Sequence, residues 1–335
     1  MKFGPVPTLA SSGAILAHAV RHEALTLKKG HIISAADIAA LEAAQVAEVV
    51  VAQLEPGDVG EDAAALRLAH HIAGPQVRVA APFTGRANLF AEKAGLLRVD
   101  AGAIDAINAV DEAITTATLP PLRAVAADEM VGTVKIIPFA VPAALLQATL
   151  NAAAGHAIEV TPFQPTRVAV ISTLLPGLKP SVIAKTLNVM IERLAPMGAK
   201  LVAEERVPHD MRVLAKAIRN FTPLCDMVVV FGASAITDRR DVIPAALEAA
   251  GGRIVHFGMP VDPGNLLLLG ELDGKSVLGA PGCARSPKEN GFDWVLQRLI
   301  ARIPVTSQDL RRMGTGGLLM EIVQRPQPRL GHEQE

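Results

Sequence analysis

RVAVISTL occupies residues 167–174 and is followed by KPSVIAKTLNVMIERLAPMG at 179–198 and AKLVAEERV at 199–207. The outer two segments are short and rich in apolar and β-branched residues, whereas the middle one repeats apolar residues at helical spacing. The pattern therefore predicts a strand, a helix and a second strand. Apolar strands that alternate with helices are typical of a parallel sheet covered by helices on both faces.

This alternation continues to about residue 302. DMRVLAKAIRN and DVIPAALEAAGG have helical spacing, and a further long helix is expected over about 286–302. DMVVVFGAS and RIVHFGM predict strands, and LLLLGELDGKSVLGA predicts a hairpin that turns at Asp273-Gly274. The fold class predicted for residues 165–303 is a three-layer α/β/α domain with a mostly parallel sheet.

Open parallel sheets bind ligands beyond the carboxyl ends of their strands, where the loops expose backbone amide groups. The loops predicted at that edge are 172–179, 206–210, 232–241, 258–265 and 279–287. We expect a ligand crevice there, lined mainly by 232–241 and 279–287.

The first half predicts a mixed α+β domain over residues 1–155. Ser34 and Asp37 predict a capping box before a helix that ends near Ala44. VAEVVVAQL and VRVAAPF predict strands, and EDAAALRLAHHIAG between them predicts a helix closed by Gly74. HAIEVTPFQPT, with two prolines and no helical period, predicts a domain boundary within about 155–166. Residues 304–335 are expected to form a C-terminal extension with a short strand, GLLMEIV.

The composition argues against several classes of function. The chain has 335 residues, enough for about two domains. Its formal charge of -1 argues against binding to nucleic acid or to a membrane surface, and 3% aromatic residues with no Tyr leave few platforms for base stacking. Two Cys cannot build a disulfide framework, and no segment has the pattern of a signal peptide or a membrane span. A cytoplasmic protein is expected.

The loop FGASAITDRRD at 231–241 follows an apolar strand and holds acids, arginines and hydroxyls together. Arg239 and Arg240 offer bidentate donors for phosphate or another oxyanion, while Asp238 and Asp241 could hold Mg²⁺. The alternative is structural: Asp241 caps the next helix and the arginines are solvated.

A second loop, GAPGCARS at 279–286, precedes the last predicted helix. Its small residues would let backbone amides approach an anion, and the helix N-terminus would add partial positive charge. The alternatives are a tight turn with Ser286 as the helix cap, and Cys283 as a small space-filling residue.

With these motifs in order, residues 166–303 resemble the molybdopterin-binding domain shared by molybdopterin adenylyltransferases, molybdopterin molybdotransferases and gephyrin-like proteins. RVAVIST, ERVPHD and VVVFGAS fall in the family's order. The loop TDRRDVIP is similar to the adenylyltransferase form, PVDPGN matches a Pro-Gly turn, and LGAPGCARS matches a Leu-Pro-Gly turn. The resemblance implies the molybdopterin-binding fold and a site for molybdopterin or the molybdenum cofactor, in a homodimer or a homotrimer.

The resemblance also implies roles for individual residues. Asp241 or Asp238 takes the essential acidic position of the family's loop. The expected catalytic residues are Asp238 and Asp241; the expected metal ligands are Asp238, Asp241 and Asp210; and the expected ligand-binding residues are Gly232, Ser234, Thr237, Arg239, Arg240, Pro281, Gly282, Cys283, Arg285 and Ser286.

Two functions compete on this basis. One is a transferase of molybdenum cofactor biosynthesis, which uses Mg²⁺ and ATP to adenylate molybdopterin or inserts molybdate. The other is a carrier that holds the pterin for a nucleotidyltransferase or an apo-molybdoenzyme. His209-Asp210 stands where the family has an acidic pair, and Gly232-Ala233-Ser234 where it has paired glycines, which favours the carrier. A third alternative keeps the fold with a different small anionic ligand.

The first domain is expected to contribute to partner binding or to closure of the crevice. The segment PFTGRAN supplies Arg86 and Asn88, which we predict to lie at a strand-to-helix junction.

Overall fold

A computed structural model describes residues 1–22, 25–177 and 179–319 of the chain. The chain divides into two units, Met1–Pro162 and Phe163–Glu335, and each is described by itself. None of the described helices is both long enough and apolar enough to cross a membrane.

The first unit contains fourteen short strands and four helices among its described residues. The strands are β1 (Lys2–Pro7), β2 (Ile15–Leu16), β3 (Val20–His22), β4 (Leu25–Leu27), β5 (Glu48–Gln53), β6 (Asp58–Gly60), β7 (Val77–Val79), β8 (Arg86–Ala91), β9 (Gly95–Val99), β10 (Ile114–Thr118), β11 (Ala124–Val125), β12 (Met130–Ile136), β13 (Ala140–Pro142) and β14 (Ile158–Pro162). The helices are α1 (Ala35–Ala43), α2 (Glu61–Ile72), α3 (Ala101–Asn108) and α4 (Ala143–Asn151). The strands pair in the orders β1-β5-β2, β10-β12-β8-β7, β11-β9-β14, β13-β6 and β3-β4.

Helices α1 and α2 begin where the sequence predicts. Ser34 accepts the backbone N–H of Asp37, and the Asp37 carboxylate accepts the N–H of Ser34, which completes the predicted capping box of α1. The apolar face of α2 packs in the core of this unit. Its predicted closure by Gly74 is wrong: Ala73 is already extended, and the Gly74 N–H bonds to the Ile158 carbonyl at 2.7 Å. Pairing with β14 therefore ends α2, without a left-handed glycine.

The predicted place of Arg86 and Asn88 is also wrong. Both lie within β8, directly after a tight turn in which Thr84 and Gly85 have positive φ. Phe83 and Arg86 exchange two backbone hydrogen bonds across this turn, so the chain doubles back as a strand and no helix begins. The buried and partly buried residues of β8 alternate, as one half-buried strand requires.

The second unit adds strands and helices in the predicted order. The strands are β15 (Arg167–Leu174), β16 (Lys200–Pro208), β17 (Met227–Phe231), β18 (Arg253–Phe257), β19 (Leu268–Leu272) and β20 (Lys275–Ala280). The helices are α5 (Pro180–Leu194), α6 (Met211–Phe221), α7 (Val242–Ala249), α8 (Gly291–Ile300) and the short α9 (Ser307–Arg311).

These six strands form one mostly parallel sheet in the order β16-β15-β17-β20-β19-β18. β15 pairs in parallel with β16 and β17, and β17 pairs in parallel with β20. β19 runs antiparallel to β20, because the two strands form the predicted hairpin at Asp273-Gly274. β19 also pairs antiparallel with β18. The mostly parallel sheet is therefore confirmed.

The core of the second unit lies in two buried clusters. Val168 and Val170 of β15 belong to a cluster with residues of α5 and α8, whereas Ala169 and Ile171 belong to a cluster with residues of α6 and α7. Successive side chains of a strand point to opposite faces of a sheet. One face of the sheet therefore packs against α5 and α8, and the other against α6 and α7.

The last long helix starts later than predicted. Asn290 caps α8, and Asp293 completes a capping box with it, so Ser286 is not the cap. Residues 282–285 form a separate turn of 3₁₀ helix. Most of the predicted strand GLLMEIV lies outside the described residues; within them, Leu318 forms a parallel bridge with Asp262.

We predict that Ser34→Ala lowers the free energy of unfolding of the first unit by about 1 kcal/mol, because an N-cap hydroxyl is lost. The same change should raise the pKa of Asp37, which the Ser34 hydroxyl, His31 and the Ser34 N–H hold at about 2. Chemical denaturation and NMR titration measure the two effects. Ser12→Ala, at an exposed serine of the same unit, is the control. Equal stability of the two variants would contradict the prediction.

Candidate functional site

The candidate site lies at the carboxyl ends of the parallel strands. Strand register places Leu174 beside Pro208, Ser172 beside Phe231, and Phe231 beside Ala280. β15, β16, β17 and β20 therefore end at one edge of the sheet, and the loops that follow them start there. These are the loops in which the sequence predicts ligand binding.

Arg285 connects two of these loops. Its Nη2 donates to the Gly232 carbonyl at 2.9 Å, and its Nη1 donates to the Thr186 hydroxyl of α5 at 2.8 Å. The guanidinium carbon lies 5.2 Å from the centre of the Phe231 ring. The structure thus brings together two residues predicted to bind ligand, Gly232 and Arg285, through direct contact.

No acidic side chain forms an ion pair with Arg285 among the described residues. The guanidinium is partly buried, and burial lowers the pKa of Arg285. The hydrogen bonds to one hydroxyl and one carbonyl use two of the five N–H groups of the guanidinium. A partly buried cation without a counter-charge favours an anionic ligand.

A buried hydroxyl lies on the same face of the sheet. Ser172 is 1% exposed, and its Oγ has no hydrogen-bond partner among the described residues. Ser172 alternates with Val168 and Val170, so it faces α5, as its neighbour Phe231 does. The carboxyl edge on the α5 face therefore offers a cation, an aromatic ring and an unused hydroxyl.

The opposite face of the same edge carries a hydrogen-bond chain. Thr173 Oγ1 accepts the backbone N–H of Ala233 at 2.8 Å and lies 2.8 Å from Nδ1 of His209. Thr173 alternates with Ile171, which faces α6 and α7. This chain ties the ends of β15 and β16 to the loop after β17, and so fixes the start of the 232–241 loop.

Asp241 has a structural role in the geometry observed. It is the N-cap of α7, where its Oδ1 accepts the N–H of Val242 at 2.8 Å and its Oδ2 accepts the N–H of Thr237 at 3.2 Å. Both carboxylate oxygens therefore bond to the backbone. Thr237 and Ser234 are exposed.

Asp238, Arg239 and Arg240 lie at the surface of the same loop. Asp238 Oδ1 accepts from Nε of Arg240 at 2.7 Å, and the Arg240 side chain is 91% exposed. Hydrogen bonds from the Arg240 side chain and backbone hold the pKa of Asp238 at about 2. Arg239 is exposed. Burial lowers the pKa of His256, and the positive charges of Arg311 and Arg239 lower it further. Arg239 and Arg240 are thus both exposed, whereas Arg285 is partly buried.

The three predicted metal ligands do not form a joint site. Asp210 caps α6, with Oδ1 accepting the N–H groups of Arg212 and Val213 at 2.9 and 3.0 Å. No group of three or more His, Cys, Asp or Glu side chains within the described part of the chain is placed to hold a metal ion. Asp210, Asp238 and Asp241 are therefore not gathered into a ready-made three-ligand metal site.

The loop at 281–286 differs from the prediction in its relation to the helix. Pro281 is buried, Gly282 is exposed and Ser286 is partly buried. Because α8 begins only at Gly291, these residues do not form its first turn. Burial raises the pKa of the Cys283 thiol, which favours the uncharged thiol over the thiolate.

Four residues of this edge carry no individual prediction from the sequence: Ser172, Thr173, Thr186 and Phe231. Thr186 and Phe231 contact Arg285, and Thr173 bonds to His209 and Ala233. Thr173 is the last residue but one of the predicted strand at 167–174, and Phe231 lies near the end of the predicted strand at 226–234, positions that could have marked them. Thr186 lies inside a helix, where a threonine gives no such signal.

Comparisons with known proteins give limited similarities. A family model described as a domain of unknown function (DUF8806) matches residues 5–53. No curated protein matches the chain.

Among solved structures, the chain is similar to a molybdopterin biosynthesis MoeA protein from Pyrococcus horikosii, with 15% identity, 90% of this chain and 75% of that chain covered, and a TM-score of 0.32. It is also similar to the molybdopterin biosynthesis enzyme MoaB from Thermus thermophilus, with 16% identity, coverage of 42% and 98%, and a TM-score of 0.30. A CinA protein of unknown function from Thermoplasma acidophilum gives 18% identity, coverage of 42% and 99%, and a TM-score of 0.29.

We predict that Arg240→Gln raises the pKa of Asp238 from about 2 toward the ordinary value of an aspartate, about 3.9, because the strongest donor to its carboxylate is lost. NMR titration of the carboxyl carbon measures the change. Arg239→Gln should leave this pKa in place, since Arg239 is not among the donors to Asp238. An unchanged pKa in Arg240→Gln would show that the observed ion pair does not set it.

Proposed function

We propose that the second unit binds molybdopterin through an anion site centred on Arg285. The observation that carries this proposal is the partly buried guanidinium of Arg285, held by Gly232 and Thr186 and paired with no acid among the described residues. Molybdopterin carries a terminal phosphate, which a guanidinium binds through short charge-assisted hydrogen bonds. Ser172 would supply a further hydrogen bond to the anion or to a water bound with it.

The order of motifs supports a pterin ligand over other anions. VVVFGAS, TDRRDVIP and LGAPGCARS are the segments that resemble the molybdopterin-binding domain, and two of them meet where Arg285 contacts Gly232. The buried clusters on the two faces of the sheet support the three-layer arrangement of that fold.

The carboxylates favour a carrier over a transferase. Asp241 and Asp210 bond to backbone N–H groups at helix starts, and Asp238 pairs with Arg240 at the surface. Each of these acids has a structural partner, and they do not meet at Arg285. We therefore infer that the protein holds the pterin for another enzyme, such as a nucleotidyltransferase or an apo-molybdoenzyme. Assembly as a homodimer or a homotrimer, and a role of the first unit in partner binding, stay predictions.

Replacement of Arg285 tests the site. Arg285→Gln should weaken molybdopterin binding by about 10- to 150-fold, because one charge-assisted interaction contributes about 1.5–3 kcal/mol. Binding is measured by isothermal titration with purified molybdopterin under anaerobic conditions. Arg240→Gln removes an arginine from the exposed loop and should keep the affinity of the unmodified protein. Equal losses in both variants would reject Arg285 as the centre of the site, and no binding by the unmodified protein would reject the function.

A second prediction separates carrier from enzyme. Asp241→Asn and Asp210→Asn should each leave molybdopterin affinity within about twofold, since asparagine keeps one oxygen to cap each helix. Asp241→Asn also loses the acceptor of the Thr237 N–H, a bond that does not involve Arg285. The unmodified protein should release no pyrophosphate from Mg-ATP in the presence of molybdopterin. Pyrophosphate release that Asp241→Asn abolishes would identify an adenylyltransferase and overturn the carrier assignment.

A further inference from the structure

A buried arginine holds the loop that carries Arg285. Arg193 lies in the last turn of α5, and its side chain is only 7% exposed. Its Nε donates to the carboxylate of Asp293, its Nη1 to the Ala284 carbonyl at 2.9 Å, and its Nη2 to the Ser286 carbonyl at 2.8 Å. The two carbonyls belong to the residues on either side of Arg285. Arg193 thus bonds to the backbone on both flanks of the proposed anion-binding residue.

Asp293, the ion-pair partner of Arg193, is also buried and bonded to the backbone. The Asp293 side chain is 9% exposed and also accepts the N–H of Asn290, as the third residue of the capping box of α8. Burial raises the pKa of Asp293, and the adjacent Arg193 acts against that rise. The arginine therefore links three elements: the end of α5, the 281–286 loop and the start of α8.

Stability alone is a poor reason for this arrangement. Removing two charges from water is costly, and a packed apolar pair in place of a buried ion pair is often as stable or more so. What an apolar pair cannot do is donate hydrogen bonds to two loop carbonyls that flank a single residue. The loop's own bonds, from Ala284 N–H to Pro281 and from Ser286 N–H to Cys283, are local and fix no orientation relative to α5.

We propose that Arg193 is a positioning residue: by holding the carbonyls of Ala284 and Ser286, it directs Arg285 toward Gly232 and Thr186 and so pre-organises the anion site. This inference rests on the proposed function for its effect on binding. A side chain that is ordered before binding loses less conformational entropy when the ligand arrives. Loss of Arg193 should therefore weaken binding even though Arg193 does not contact the anion.

The experiment compares Arg193→Lys with Arg167→Lys in the full chain. Lysine keeps the charge beside Asp293 but lacks the planar set of donors that reaches both carbonyls. Arg167, at the other end of β15, forms an exposed ion pair with Asp226 and serves as the matched control. Arg193→Lys should weaken molybdopterin binding by about 3- to 10-fold, the effect of freeing one long side chain. Arg167→Lys should leave binding unchanged.

A second variant separates positioning from folding. The double variant Arg193→Met with Asp293→Asn removes both buried charges, and the asparagine still offers an acceptor to the Asn290 N–H. Its melting temperature should therefore be higher than that of Arg193→Met alone. The affinity should stay reduced, because the loop carbonyls still lack their donors. Recovery of affinity together with the melting temperature would overturn the proposal and leave Arg193 a purely structural role.

A ligand-free measurement keeps the two proposals distinguishable. The guanidinium of Arg285, fixed by two partners, should give a sharp side-chain NMR signal in the unmodified protein and a broadened one in Arg193→Lys. If molybdopterin does not bind the unmodified protein but this signal changes as expected, the proposed function fails while the positioning role stands. A signal that stays sharp in Arg193→Lys would reject the positioning role even if binding to the unmodified protein is confirmed.

Discussion

Parallel pairing of β15 with strands on both of its sides is the constraint on which the site depends. Parallel strands that share a sheet must end at the same edge, so the pairing gathers loops that are far apart in the chain. The extended backbone of β15 places its successive side chains alternately in the two buried clusters of this unit. Ser172 and Thr173 therefore face opposite sides of one edge, although they are neighbours in the chain.

The arginines near this edge differ in burial and in whether an acidic side chain forms an ion pair with them. Arg240 neutralises Asp238 in water, where an ion pair contributes little and attracts no further anion. Arg193 is buried, but its charge is matched by Asp293. Arg285 is partly buried and has no acidic partner among the described residues, so its positive charge is available to an anionic ligand. Three arginines of one unit thus have three different electrostatic environments.

Much of the second unit could be predicted from the sequence. Runs such as RVAVISTL are short, apolar and bounded by turn residues, and β15 has the predicted limits. The ends of the helices were harder to predict from the sequence, because they depend on tertiary contacts. Ser286 and Asn290 are both good caps by residue type, and only the course of the loop selects Asn290. Pairing with β14 likewise ends α2 before Gly74 can do so.

The site itself could be predicted only in outline. Sequence reasoning located the loops, because their place after predicted strands is a matter of topology. It could not tell that both oxygens of Asp241 bond to the backbone, since that depends on the turn made by residues 237–241. Nor could it find Arg193, whose role arises from contact between a helix end and a loop about 90 residues later in the chain.

The position of β16 has a consequence for self-association. β16 lies at one end of the described sheet and has nine residues, most of them alternating between exposed and partly buried. An outer strand of that length can template the addition of a foreign strand, the first step of many aggregation reactions. Lys200, Glu204 and Arg206 are exposed along it, so an incoming strand would have to bury charges of both signs. The charged residues of β16 thus oppose aggregation, while Leu201 and Ala203 pack against the two different buried clusters of this unit.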